Sequence, residues 1–117
     1  MSQQHKDAVR AFYDAIDNRE VEKIAPLCTP EATFQFGGGT PISLAHFTAM
    51  TSGFGSNGSR HVILDMVSEG DKLACHVNVV AKTPRGEASM KALTFFTFSG
   101  DRIASELVIV DRGMPGA

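Results

Sequence analysis

Apolar side chains recur at two different spacings along this chain. In the first half they fall three and four apart. Val9, Phe12, Tyr13 and Ile16 make one stripe over residues 3–17, the spacing of an amphipathic helix. Asp17-Asn18 breaks that stripe, and a second, short helix is expected from near Glu20, with Val21, Ile24 and Leu27 inward and Pro30 ending it. Residues 32–36 alternate as a short strand and stop at Gly37-Gly38-Gly39. A third helix is expected over residues 43–54, with Leu44, Phe47, Met50 and Phe54 apolar and Ser43 as its N-cap. In the second half the spacing drops to two, and strands are expected near 60–69, 72–82, 87–98 and 102–111. Gly70-Asp71, Thr83-Pro84-Arg85-Gly86 and Ser99-Gly100-Asp101 supply the turns. Connections this short imply an antiparallel meander.

The strands are apolar on both faces. Over 72–82, Leu73, Cys75, Val77 and Val79 alternate with Ala74, His76, Asn78 and Val80. Over 87–98, Leu93 and Phe95 alternate with Met90, Ala92, Thr94, Phe96 and Phe98. Over 102–111, Ile103, Leu107 and Ile109 alternate with Ala104, Glu106, Val108 and Val110. A sheet with one wet face reads as apolar on one side only, so both faces of this one are expected to be covered.

The 117 residues fit a single α+β domain over 1–117. A net charge of -2, with lysine and arginine scattered, gives no basic stripe and no sign of nucleic-acid binding. The polar start, Met1 to Lys6, lacks the apolar core of a signal peptide, and no apolar run approaches the roughly 20 residues of a membrane span. The expected location is the cytoplasm, with no membrane partner. Cys28 and Cys75 then read as free buried thiols.

Five stretches carry a resemblance: Val9-Arg10-Ala11-Phe12-Tyr13, residues 27–36 with Glu31-Ala32-Thr33-Phe34, residues 39–54, Glu69-Gly70-Asp71-Lys72-Leu73-Ala74, and Phe96-Thr97-Phe98-Ser99-Gly100-Asp101-Arg102-Ile103. In this order and spacing they resemble the NTF2-like superfamily, in its SnoaL-like and ketosteroid-isomerase-like branch. The resemblance implies a cone, with three helices from the first half packed on a curved antiparallel sheet that encloses a pocket. It also implies a homodimer through the outer sheet face. Patterning alone would bury Leu73, Cys75, Val77 and Val79 and leave His76 and Asn78 in water. The family register implies the reverse, with even-numbered side chains looking into the cup, and the expectation follows that register.

The catalytic sets of two related enzymes are not matched. Ketosteroid isomerase uses an Asp base with a Tyr and a protonated Asp. Ungapped matching puts Phe12, Phe36 and Thr94 there, and none can replace those groups. The water-activating Arg-Asp-Asp set of limonene-epoxide-hydrolase-like enzymes falls on His76 and Asn78, with its last position near Val108. What the resemblance leaves is an apolar pocket with few polar groups, the usual form of a site for a small apolar molecule. Its expected substrate-binding residues are Phe12, Tyr13, Ile16, Phe36, Phe47, Met50, Asn78, Met90, Thr94, Phe96 and Val108. The catalytic candidates are His76 as general base and Glu106 beside it, because an imidazole can carry a proton either way near neutrality. Two readings stay open. One is a SnoaL-like protein that binds a small apolar molecule and transforms it by acid/base proton transfer, as an isomerase, cyclase or hydrolase does. The other is a non-catalytic ligand-binding or dimerisation module with a vestigial pocket.

Other signals point nowhere. Residues 53–58 match GxGxxG, but after a helix and before a strand, the wrong context for a dinucleotide. Asn57-Gly58-Ser59 matches a glycosylation sequon and reads as a turn. His5, His46, His61 and His76 show no metal-ligand spacing, with His46 and His61 expected on a helix surface and at a strand start. No cofactor and no metal is expected.

Overall fold

The computed structural model describes residues 2–54 and 60–110. The glycine-rich run and the sequon fall largely or wholly on 55–59 and so lie outside the described residues. Helix α1 spans Ser2–Asp17 and buries Val9, Phe12, Tyr13 and Ala15 along its apolar stripe. It ends in a Schellman turn. The Arg19 N–H donates to the Ile16 carbonyl (3.2 Å) and the Glu20 N–H to the Ala15 carbonyl (2.8 Å), with Arg19 at φ +60°. The expected second helix is a pair of 3-10 turns, Val21–Lys23 and Ala25–Leu27, with Ile24 fully buried between them. Pro26 in the second turn lacks the N–H that a continuing α-helix would use.

Strand β1 (Cys28–Phe36) is longer than its alternating core, and β2 (Ile42–Ser43) is a short addition at the edge. Helix α2 (Leu44–Phe54) starts where expected, because the His46 N–H donates to Ser43 Oγ at 3.1 Å. Then come β3 (Arg60–Glu69), β4 (Lys72–Thr83), β5 (Gly86–Ser99) and β6 (Arg102–Val110). The sheet order is β2-β1-β6-β5-β4-β3. The meander is antiparallel, as its short turns require, while β1 joins β6 in parallel, so the curved sheet is mixed. Gly70 and Gly100 take positive φ in the two-residue turns of the β3–β4 and β5–β6 hairpins, a conformation costly for other residues.

The register corrects the expected parity of β4. Thr83 pairs with Gly86 across a two-residue turn, so every odd residue of β4 faces an even residue of β5: Cys75 meets Thr94, and Val77 meets Ala92. Directly opposed residues share a face. Leu73, Cys75 and Val77 therefore point under the helices, where they are buried, as patterning alone indicated. His76 and Asn78 point outward, opposite Leu93 and Lys91. On β5 the even residues do look inward, and on β6 they do so from Glu106 onward. A bulge at Ala104 is responsible on β6: Phe98 pairs with Ile103 but Thr97 with Ser105, so Ile103 and Glu106 lie on the same inner face.

The core centres on an aromatic cluster. Phe12 stacks against Phe34 and Phe47 (centroids 6.2 and 5.7 Å) and meets Phe96 edge-on at 5.8 Å. Each such pair contributes about 0.5–1.5 kcal/mol beyond burial. Among the described residues no helix is long and apolar enough to cross a membrane.

Candidate functional site

A cavity of about 700 Å³ lies between α1, α2 and the inner face of the sheet. Its walls are almost wholly apolar. Ile16 comes from α1, Phe47 and Met50 from α2, Phe36 from β1, Val77 and Val79 from β4, Met90 and Ala92 from β5, and Val108 and Val110 from β6. Five polar side chains join them: Tyr13, Thr51, His61, Thr94 and Glu106.

Glu106 is 4% exposed and lines this cavity. Its carboxyl has no hydrogen-bond partner or ion pair among the described residues. Burial alone pushes it from the ordinary 4.5 up to about 8, because no cation or donor compensates the charged form. At neutral pH it is a carboxylic acid, able to donate a hydrogen bond or a proton.

Tyr13 is 3% exposed, and its hydroxyl lies 2.8 Å from Thr94 Oγ1. Thr94 donates to the Cys75 carbonyl at 3.4 Å, which leaves its oxygen to accept from Tyr13. Burial first, then the nearby Glu106 charge, holds the Tyr13 phenol far above its ordinary value, so it stays neutral. Cys75 is pushed up to about 11 and Cys28 to about 12, in both cases mainly by burial. Buried in this way, both are inert thiols.

Neither Thr51 nor His61 is singled out by the sequence pattern, and Thr51 Oγ1 donates to the Phe47 carbonyl within α2 at 2.9 Å. His61, at the start of β3, has its ring stacked on Tyr13 at 4.5 Å and 13°. Its Nδ1 lies 2.7 Å from Asp17 Oδ1, and its backbone N–H donates to Asp17 Oδ2, also at 2.7 Å. Asp17 is the last residue of α1, 44 positions away. Only the tertiary fold joins the two. The one local hint is a carboxylate at a helix C-terminus, where the macrodipole disfavours it.

Of the expected binding residues, Tyr13, Ile16, Phe36, Phe47, Met50, Met90, Thr94 and Val108 stand on the cavity wall, with Glu106 among them. Phe12 and Phe96 do not. They are 0% and 1% exposed inside the aromatic cluster. Asn78 and His76 stand on the opposite face of the sheet because of the β4 register. His76 lies there in a shallow depression with Lys91, Leu93 and Ile109, so the sheet separates it from Glu106 and no His76–Glu106 pair forms. The described residues contain no group of three or more His, Cys, Asp or Glu that could hold a metal ion.

A family model for the SnoaL-like domain matches residues 9–106, most of the chain and all five polar residues of this site. The chain belongs to the SnoaL-like domain family. No curated protein matches it in sequence. Solved structures share its fold. IdmH from Streptomyces antibioticus, a candidate polyketide cyclase, superimposes with a TM-score of 0.80 at 21% identity over 92% of each chain. A Mycobacterium tuberculosis epoxide hydrolase of the LEH-like type gives 0.83 at 14% identity, over 93% of this chain and 84% of its own. A candidate ketosteroid isomerase from Kribbella flavida gives 0.82 at 12% identity, over 96% and 81%. At these identities the likeness is one of fold, and the chemistry of this SnoaL-like domain rests on its own residues.

Proposed function

We propose that this SnoaL-like domain binds a small, mostly apolar carbonyl compound in its cavity and acts on it by proton transfer, with Glu106 as the acid. One observation carries the reading: a buried carboxyl, without partner, faces an apolar space large enough for a drug-sized ligand. Natural proteins seldom leave a carboxyl in that state without use, since an apolar residue there would be cheaper. A neutral acid recognises a carbonyl oxygen by donating to it, and it stabilises the negative charge that develops when the neighbouring carbon loses a proton. Proteins of the same fold include a candidate polyketide cyclase, a candidate ketosteroid isomerase and an epoxide hydrolase, which supports an acid/base reading. A vestigial pocket is the weaker reading, because Phe12 and Phe96 are packed in the core and do not fill the cavity.

The test is calorimetric binding of 2-tetralone, a bicyclic ketone, at pH 6 and pH 9.5. The expected result is binding at pH 6 that weakens about tenfold or more at pH 9.5, where the carboxylate can no longer donate. The Glu106→Gln variant keeps a donor and loses the pH dependence. Equal binding at both pH values in the wild type, or none at either, refutes the reading.

The same proposal includes a second copy of the chain on the outer sheet face. Val67 of β3, Leu93 and Phe95 of β5 and Ile109 of β6 are 43–64% exposed there, and the register sets them on one face, with Ala74 of β4 between Val67 and Phe95. Asp65 and Lys91 supply opposite charges on that face, which suits pairing with a copy of itself.

A further inference from the structure

We propose that His61, held by Asp17, is the general base of this cavity, working opposite Glu106 on a ketone that has an acidic C–H beside its carbonyl. The inference rests on the proposed carbonyl-binding role of the pocket and adds the group that takes the proton.

The argument begins with hydrogen-bond chemistry. A carboxylate only accepts, so Asp17 Oδ1 at 2.7 Å requires the hydrogen to sit on Nδ1 of His61. In the neutral ring Nε2 is then the bare nitrogen, the one that can accept a proton. Nε2 has no protein partner among the described residues, and the side chain lines the cavity. The ring is fixed from three directions. Asp17 holds Nδ1 through one oxygen and the His61 backbone through the other, and Tyr13 stacks on the ring face. This is the arrangement in which a carboxylate sets the tautomer and orientation of a catalytic imidazole.

The placement of Asp17 runs against local preference. It ends α1 with no basic residue in that helix's last turn, so its charge meets the negative end of the macrodipole. The Schellman turn at Arg19 nevertheless fixes this end of the helix tightly. A locally unfavourable residue, rigidly presented to a cavity-lining histidine, is the pattern expected of a positioning residue.

The step balances within the protein and its ligand. His61 Nε2 takes the proton from the carbon beside the carbonyl, and the C–H electron pair becomes the enolate. Glu106 donates to the carbonyl oxygen as charge develops there. The imidazolium then returns its proton to the same carbon or to a conjugated one. No oxidant, metal or co-reactant enters.

The test follows deuterium incorporation into 2-tetralone in heavy water by mass spectrometry, alongside its binding. Wild type is expected to accelerate exchange, and His61→Gln to reduce the enzymatic rate about 100-fold or more with binding retained. Asp17→Asn is expected to lower kcat at least about tenfold with KM little changed. The neutral imidazole of wild type should show the Nδ1–H tautomer by nitrogen-15 NMR, and that preference should be lost in Asp17→Asn. The NMR arm needs no substituted protein to decide the wild-type tautomer. If 2-tetralone binds but does not exchange, if His61→Gln exchanges as fast as wild type, or if wild type carries its hydrogen on Nε2, the inference is overturned and the binding role of Glu106 stands. Failure of the ketone to bind at all removes the pocket reading and this inference with it.

Discussion

The folded protein should lose stability as pH rises from about 4.5 to about 8, and a single side chain should account for a measurable part of the loss. Glu106 is ordinary when unfolded, near 4.5, and rises to about 8 when folded because burial opposes its charge. Between those values the native state holds a proton that the unfolded chain has released. The number bound is greater in the native state, so stability falls with increasing pH, by about 1.4 kcal/mol for each pH unit. The contribution is fully present below 4.5 and has been lost once the pH passes about 8. Over that window the integral is about 5 kcal/mol, against a typical total of about 5–15 kcal/mol. The carboxyl faces a cavity that water can enter once charge appears, so about 3–5 kcal/mol is the range to expect. The assay is urea unfolding of wild type and Glu106→Gln at intervals from pH 4 to pH 9. Glutamine has nearly the same shape and no charge. Every other titrating group therefore cancels in the difference between the two proteins. Wild type should lose ground to the variant steadily between pH 4.5 and 8 and then run parallel to it. A difference constant within about 0.5 kcal/mol across that range, or one that grows in the other direction, refutes an uncompensated buried carboxyl.

Three further outcomes are expected. Arg19→Gly should raise stability by about 0.5–1 kcal/mol in urea unfolding, because glycine removes the side-chain strain at φ +60° at some entropic cost in the unfolded chain. Thr94→Val should lower stability by about 1–3 kcal/mol, read from the same measurement, since it leaves the buried Tyr13 hydroxyl without its partner. Phe95→Lys should convert the proposed homodimer to a monomer by light scattering at micromolar concentration while the melting curve stays cooperative. A wild type that is already monomeric there sinks the dimer proposal.

Much of the fold was legible from periodicity because burial is what periodicity records. The α1 stripe, the Ser43 cap and the three hairpin turns were all readable locally. The site was legible only in part. Glu106, Thr94 and Tyr13 reach the cavity as expected, but His76 and Asn78 do not. The signal that decides them was in the sequence. A two-residue turn between Thr83 and Gly86 makes opposed residue numbers sum to an odd value, so even residues on β4 cannot share a face with even residues on β5. The family register conflicts with that rule on β4, and the fold follows the rule. The His61–Asp17 pair was beyond reach for a different reason. Its members sit 44 positions apart, on a helix end and a strand start, and no spacing rule connects such places. Nothing local separates Phe12 and Phe96 from the cavity-lining residues, because an apolar residue near a pocket and one in a core carry the same pattern.

On β3, Ile63 pairs with Val77 but Asp65 with His76, so Leu64 is an extra residue as Ala104 is on β6, and each shifts the alternation by one place, the first just after His61 and Ile63, the second just before Glu106. Counting along the strand therefore gives the wrong side of the sheet once either point is crossed. Two homologues could carry the same letter at the same ordinal position and aim it in opposite directions, one at a guest and one at a neighbour. Any transfer of roles between members of this group has to be made face by face, with a gap allowed at those two kinks, before letters are compared at all.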